Sequence, residues 1–381
     1  MTIASLGAVP AIQTPAGSLT YDELEERAAS VRISAPRVAL AMPPSLDFAI
    51  ALYACLRAGV EVVPVDLREP SWRTSGAAQV ITQIDNGEQE NGDGFGLIVH
   101  TSGTTGVPRP IALSLSQIQA NSDAVTSVIE PGRWLCPLPL SHIGGLMVLL
   151  RSWLTRTTAV LGPADTPDVT VASLVPTQLA RLIHQPPPAA LQCVMLGGAP
   201  ADPTLLVRAR AAGWPVRPSY GLTQACSAVT LADVGDVSSS GRPLPGLSVD
   251  LASDGEIVVA GPSVVGGVHA TGDLGAWDGD RLVVHGRKVD TIVSGGENVM
   301  PQEVEAVLLS HPAVAEAVVI GRPDPEWGEA VTAFVVLRSD APDLREFARS
   351  RLAPFKVPKA IEEVGELPRN AAGKILRREL T

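Results

Sequence analysis

Between residues 45 and 220, short runs of β-branched and apolar residues alternate with longer Ala-, Leu- and Arg-rich stretches. Short strands separated by helix-length connections predict a wound, largely parallel sheet with helices on its faces. SLDFAIALYACLRAG (45–59) has helical spacing and ends on a glycine, and EVVPV follows as a strand. The succession continues through GLIV and LSQIQANSDAV, TAVL (158–161), VTVASL and PTQLARLI, CVML and DPTLLVRARAAG, and VRPSY. From about residue 226 it gives way to short strands with Gly/Pro turns, in GRPLPGLSVDL, GEIVVAG and RLVVHG, which predicts a small β subdomain. After GRKVD (286–290) a helix at PQEVEAVLLS, strands at AVAEAVVIG and EAVTAFVVL, and a helix near LREFARSRL suffice for a small α+β domain. The class is therefore α/β. A large N-terminal lobe of wound βα layers and its β subdomain occupy 1–286, with a reduced first lobe over about 1–95, and the C-terminal domain occupies 291–381.

The formal net charge of −11, with no block of Lys and Arg anywhere, argues against nucleic-acid or anionic-membrane partners. The most apolar windows, FAIALYACLRAGVEVVPV and IGGLMVLLRSWL, are interrupted by Arg57, Glu61 and Arg151 and are too short to span a bilayer. MTIASLGAVP lacks the basic start and sustained apolar run of an export signal. Cys55, Cys136, Cys193 and Cys226 stand singly among apolar neighbours without metal-ligand spacing. Together these features predict a cytoplasmic protein with small-molecule partners and no membrane insertion. They leave the oligomeric state open, a homodimer included.

HTSGTTGVPRP (100–110) follows the apolar run GLIV and packs no core. Its hydroxyls and unencumbered backbone N–H groups suit a polyanion. A Walker loop requires GxxxxGK[ST], whereas Gly103 is followed by Thr104, Thr105, Gly106, Val107, Pro108 and Arg109.

Four further segments come in order, GGAP (197–200), YGLTQ (220–224), TGD (271–273) and GRKVDTIVSGGENVMPQEVE (286–305), and PRNAAGKILRREL (368–380) closes the chain. With TSGTTGVPR they resemble the signature of the adenylate-forming superfamily of acyl-CoA synthetases, nonribosomal peptide adenylation domains and luciferases. The resemblance implies ATP, Mg²⁺ and coenzyme A as co-substrate, and a C-terminal domain that is mobile about a hinge at 287–290. By it, Thr101, Ser102, Gly103, Thr104, Thr105 and Gly106 with Arg109 hold the β- and γ-phosphates. Gly198, Ala199 and Pro200 lie along the adenine, Tyr220 of the Tyr220–Gly221 pair stacks on it, and Thr223 touches the α-phosphate. Asp273 and Arg287 take the ribose hydroxyls. Lys374 swings in to stabilise charge on the α-phosphate and the incoming carboxylate, and Gly295 and Gly296 reach the thiol channel in the second step. This chain departs from the pattern in having Arg109–Pro110 where lysine–glycine is usual, and Gln224 where a magnesium-ligating glutamate is usual.

Within the superfamily, LPLSHIGGLMVLLRSWL (138–154), SLVPTQLARL, CVMLGGAPADPTLL and YGLTQACSAVT resemble the o-succinylbenzoate:CoA ligases of menaquinone biosynthesis. A helix from about Gly144 places Gly144, Met147, Val148 and Arg151 on one face. The glycine leaves room beside the reacting centre, and the arginine answers a second, aromatic carboxylate. His142 is expected as a gate between adenylate and thiol, with Ser227 and Thr177 lining the acid. Two other readings stay open: activation of another acid for transfer to a carrier protein or an amine, and a nucleotide-binding pseudoenzyme.

Overall fold

The computed structural model describes residues 8–67, 76–101, 109–163, 165–340, 343–369 and 375–380. The βα alternation is distributed over two sheets rather than one. Five strands are ordered Gln79–Ile81, Arg37–Leu40, Glu61–Pro64, Gly96–Thr101 and Arg109–Ser114, all parallel except the last. The larger sheet has nine strands. Its six central ones, Val216–Leu222, Cys193–Leu196, Val171–Leu174, Arg133–Leu135, Thr158–Val160 and Pro10–Thr14, run parallel. Antiparallel strands flank them, Gly17–Thr20 on one side and Ser227–Leu231 with Arg242–Pro243 on the other. The first sheet thus runs past residue 95 to Ser114, and the N-terminal hairpin Pro10–Thr20 joins the second sheet.

Local chemistry sets the helix ends. Helix α1 (Tyr21–Ser30) starts in a capping box of Thr20 and Glu23, and α2 (Leu46–Ala58) starts where Ser45 Oγ accepts from the Phe48 amide. Gly59, at φ 65°, ends α2 in the left-handed region. Ser114 and Gln117 form a second capping box on α3 (Leu115–Thr126). Helix α4 (Ile143–Leu154) is buried on every side from Gly145 to Trp153, so its nearly unbroken apolar sequence makes it a core element. Helices α5 (Pro176–Leu182) and α6 (Pro203–Ala211) both begin with proline, whose missing N–H is an orphan there anyway.

The β subdomain is a four-stranded antiparallel sheet of Ser248–Leu251, Glu256–Ala260, Val268–Asp278 and Arg281–Arg287. The C-terminal sheet pairs Val314–Asp324 with Gly328–Leu337 over their whole length. Helices α7 (Pro301–Leu309) and α8 (Leu344–Arg349) share its core through Val304, Leu308, Leu344 and Ala348.

Candidate active site

The strand Val216–Leu222 carries Tyr220 and Gly221 at the end where its pairing with Ser227–Leu231 slips. Such a bulge re-aims the chain. It depends on Gly221, because a Cβ there would lie 2.0 Å from the Ser227 carbonyl oxygen. A single 3₁₀ turn, Thr223–Ala225, follows, and then Cys226 (φ 59°) and Ser227 (φ 113°) adopt positive φ without being glycine. Strain of this kind gathers at functional turns. Thr223, Gln224 and Ser227 are half-buried on this turn, and the Gln224 carbonyl accepts from the Val265 amide at 2.8 Å.

Tyr220 is only 9 % exposed and packs in the core of the β subdomain. Its hydroxyl donates to Asp273 Oδ2 at 2.7 Å, and Arg287 Nε meets Asp273 Oδ1 at 2.8 Å. Burial first, and then the neighbouring carboxylate, push the Tyr220 hydroxyl well above the usual tyrosine range. The sequence TGD is a fixed part of an eleven-residue strand, in which Asp273 sits opposite Arg287. Thr271 Oγ1 accepts from the Asp273 amide at 3.1 Å, and Glu256 Oε1 accepts from the Gly272 amide at 2.9 Å. Three expected residues, Tyr220, Asp273 and Arg287, are thus joined in one hydrogen-bonded chain.

Gly198 (φ 80°), Ala199 and Pro200 are exposed just beyond the strand Cys193–Leu196. Thr101 and Arg109 face each other as paired ends of an antiparallel hairpin, with Thr101 Oγ1 donating to the Arg109 carbonyl at 3.3 Å. Arg109 is exposed. Ser102, Gly103, Thr104, Thr105 and Gly106, which join these ends, and Lys374 lie outside the described residues.

His142 is the N-cap residue of α4, half-buried and without a side-chain cap bond. Gly144 and Arg151 lie on that helix as the spacing requires, but Arg151 is 1 % exposed. Its Nη2 donates to Asn121 Oδ1 at 3.1 Å, and its Cζ stands 4.8 Å from the centre of the Trp134 ring. Among the described residues no carboxylate pairs with it, and its Nε makes no hydrogen bond. Burial pulls the guanidinium down to about 9, so it remains a cation at neutral pH. Thr177 is exposed in the first turn of α5.

Gly295 (φ 62°) and Gly296 (φ 84°) form an exposed two-residue turn between Ile292–Ser294 and Glu297–Val299. Val289, in the 3₁₀ turn Lys288–Asp290, is 68 % exposed, while Lys288 Nζ pairs with Asp254 and, at 3.1 Å, with Glu256 of the β subdomain. Sequence reasoning passed over Arg377, three residues beyond Lys374. It donates to Glu305 Oε2 at 3.0 Å and lies 4.0 Å from Asp290. It also passed over Asn121, whose signal was a polar residue on the apolar face set by Ile118 and Val125.

A cavity of about 600 Å³ opens where the strands of both sheets end, walled by Met42, Phe48, Val65, Leu138, Leu140 and Leu161. It reaches Ser141, the neighbour of His142, but not Tyr220, Asp273 or Arg287. Among the described residues no three His, Cys, Asp or Glu side chains gather to hold a metal. Gln224, on the Thr223–Ala225 turn, offers a neutral amide oxygen rather than a carboxylate. No described helix is long and apolar enough to cross a membrane.

Residues 75–269 match the AMP-binding enzyme family and 303–374 its C-terminal domain; the chain belongs to this family of adenylate-forming enzymes. Among its relatives is the 2-succinylbenzoate–CoA ligase of Bacillus velezensis, 39 % identical over 336 residues, covering 76 % of this chain and 69 % of the relative. Two solved structures of o-succinylbenzoate CoA synthetase (MenE) from Bacillus subtilis superpose closely. The complex with the acyl-adenylate intermediate OSB-AMP gives a TM-score of 0.86 at 30 % identity, covering 97 % of this chain and 95 % of that one. The complex with ATP and magnesium ion gives 0.88 at 29 % identity, covering 99 % and 98 %.

Proposed function

We propose that the chain is an ATP-dependent acid:CoA ligase of the cytoplasm, which converts o-succinylbenzoate to its acyl-adenylate and then to its CoA thioester. Asp273, held by Tyr220 on one oxygen and Arg287 on the other, accepts the two ribose hydroxyls. The exposed backbone of Gly198–Pro200 lies along the adenine. Thr101 to Gly106 and Arg109 hold the β- and γ-phosphates, and Thr223 and Lys374 meet the α-phosphate. A substrate carboxylate oxygen bonds to the α-phosphorus while the bond to the bridging oxygen breaks, and pyrophosphate leaves. Both reactants are anions, so Arg109 and Lys374 lower the barrier electrostatically. Magnesium, when bound, screens the triphosphate and polarises its P–O bonds. In the second step the CoA sulfur bonds to the acyl carbon, AMP leaves with the mixed-anhydride oxygen, and the thiol proton passes to solvent. Rotation of 291–381 about 287–290 would withdraw Lys374 and bring Gly295 and Gly296 to the thiol, with His142 between the two half-sites.

The observation that carries the choice of acid is Arg151, a buried cation matched by one amide and one ring. Such a group is completed by an anion, and o-succinylbenzoate has an aromatic carboxylate left over when its aliphatic one reacts. The test is pyrophosphate release over a panel of acids, followed by CoA consumption. Release that depends on o-succinylbenzoate, with CoA consumed one for one, is expected, as is a loss of roughly a hundredfold or more in release for Lys374→Ala. Release without CoA consumption would point to a carrier protein or amine as acceptor. No release with any acid would leave a nucleotide-binding regulator.

A further inference from the structure

Arg151 does not stand alone. Its one side-chain hydrogen-bond partner among the described residues, Asn121 of α3, is fully buried and also gives both amide protons away, to the Ala225 carbonyl at 3.1 Å and the Ala228 carbonyl at 2.8 Å. The orientation of that amide is fixed by its partners. Two carbonyls accept from Nδ2, so Oδ1 must face the cation. Ala225 and Ala228 bracket Cys226 and Ser227, the two residues held at positive φ, in the turn that directly follows Thr223 and Gln224. One side chain therefore ties the guanidinium to the turn that follows Thr223 and Gln224.

We infer that Asn121 is a positioning residue for acid selection: it aims the Arg151 guanidinium and, through the 225–228 turn, holds it in register with the reacting centre. The inference rests on the reading of Arg151 as the partner of a second carboxylate. A neutral amide is the right group for this place. It orients the cation without neutralising it, whereas a carboxylate would pair with Arg151 and compete with the substrate. Asn121→Asp keeps the shape, supplies that competitor, and turns an acceptor toward two carbonyls.

The measured quantity is the ratio of kcat/KM for o-succinylbenzoate to that for 4-oxo-4-phenylbutanoate, which lacks the ring carboxylate. Asn121→Asp is expected to lower this ratio at least tenfold, chiefly through KM for o-succinylbenzoate, whatever loss the two acids share. In an Arg151→Ala background the same substitution should no longer move the ratio. Should the Asp variant not fold, Asn121→Ser, too short to reach the guanidinium, gives the same readout in the same direction. A loss common to both acids, leaving the ratio unchanged, means an ordinary structural role and overturns the inference, as does a fall in the ratio that persists without Arg151. Failure of the underlying reading looks different, because there Arg151→Ala alone leaves the ratio of the parent protein intact.

Discussion

The Tyr220 hydroxyl donates to Asp273 Oδ2 across 2.7 Å, tying the last central strand of the large sheet to the β subdomain through one carboxylate. Arg287 holds the other oxygen, so the carboxylate cannot rotate. Asp273→Ala removes the acceptor proposed for both ribose hydroxyls and the carboxylate that Arg287 and Tyr220 share. Hydrogen bonds to charged groups are worth about 1.5–3 kcal/mol, so the KM for ATP should rise by roughly tenfold to a hundredfold. Tyr220→Phe removes only the brace and should raise it by less, about fivefold for a bond of about 1 kcal/mol. The KM for the acid, at saturating ATP, should move little in either variant.

Burial raises the thiols of Cys55, Cys136 and Cys226 to about 12 and that of Cys193 to about 11. All four are free and buried. A thiol that stays protonated does not attack, so the native protein at pH 8 should release almost no colour from a disulfide reagent, and four equivalents should appear on unfolding. The same shifts set an alkaline limit. Each folded-state value lies above the unfolded one, so the stabilisation is complete below about pH 9 and is lost as pH rises through the folded values, from about 9 toward 12. Melting temperature against pH should fall in that window. A native protein whose thiols react at once would contradict their burial.

The units that could be read from the residues were the local ones. SLDFAIALYACLRAG declares its helix and its Gly59 stop within fifteen letters, and the structure has both. What could not be read was which strand lies beside which. The strands Arg37–Leu40 and Val171–Leu174 are equally short and apolar, yet they belong to different sheets, because α4 and the other buried helices pack between layers that only the folded chain defines. The hairpin Pro10–Thr20 and its place beside Thr158–Val160 were missed for the same reason. Within the site, Tyr220, Asp273 and Arg287 could be named in advance, but their mutual bonding could not. Arg151 could be placed on α4, but arginine is rarely buried, and nothing in its neighbourhood along the chain announced Asn121 thirty residues away.

Gln224 presents an amide where the resemblance to the superfamily's pattern implies a carboxylate, on a turn whose backbone is pinned by Val265. Magnesium prefers charged oxygen donors, and no described acidic cluster compensates. Gln224→Glu should therefore lower the magnesium concentration needed for half-maximal pyrophosphate release, with little change at saturating magnesium. Coincident titrations of the two proteins would place Gln224 away from the metal.

Gly221 offers the most direct check on the turn that carries Thr223 and Gln224. An added Cβ would come within 2.0 Å of the Ser227 carbonyl oxygen, 2.6 Å of its carbon and 2.8 Å of Ala228 Cα. All three are backbone atoms, so no side-chain rotation relieves the clash. Either the pairing of Val216–Leu222 with Ser227–Leu231 opens, or the turn moves and takes Asn121's two carbonyl partners with it. Overpacking of this kind costs about 1–3 kcal/mol. Gly221→Ala should lower the melting temperature and raise the KM for ATP together, since one displacement causes both. Gly144→Ala is the contrast: its Cβ would meet a leucine methyl group at 3.4 Å, and the fold should keep its melting temperature. Equal melting of the parent and Gly221→Ala would mean that the bulge at Tyr220 does not depend on a glycine.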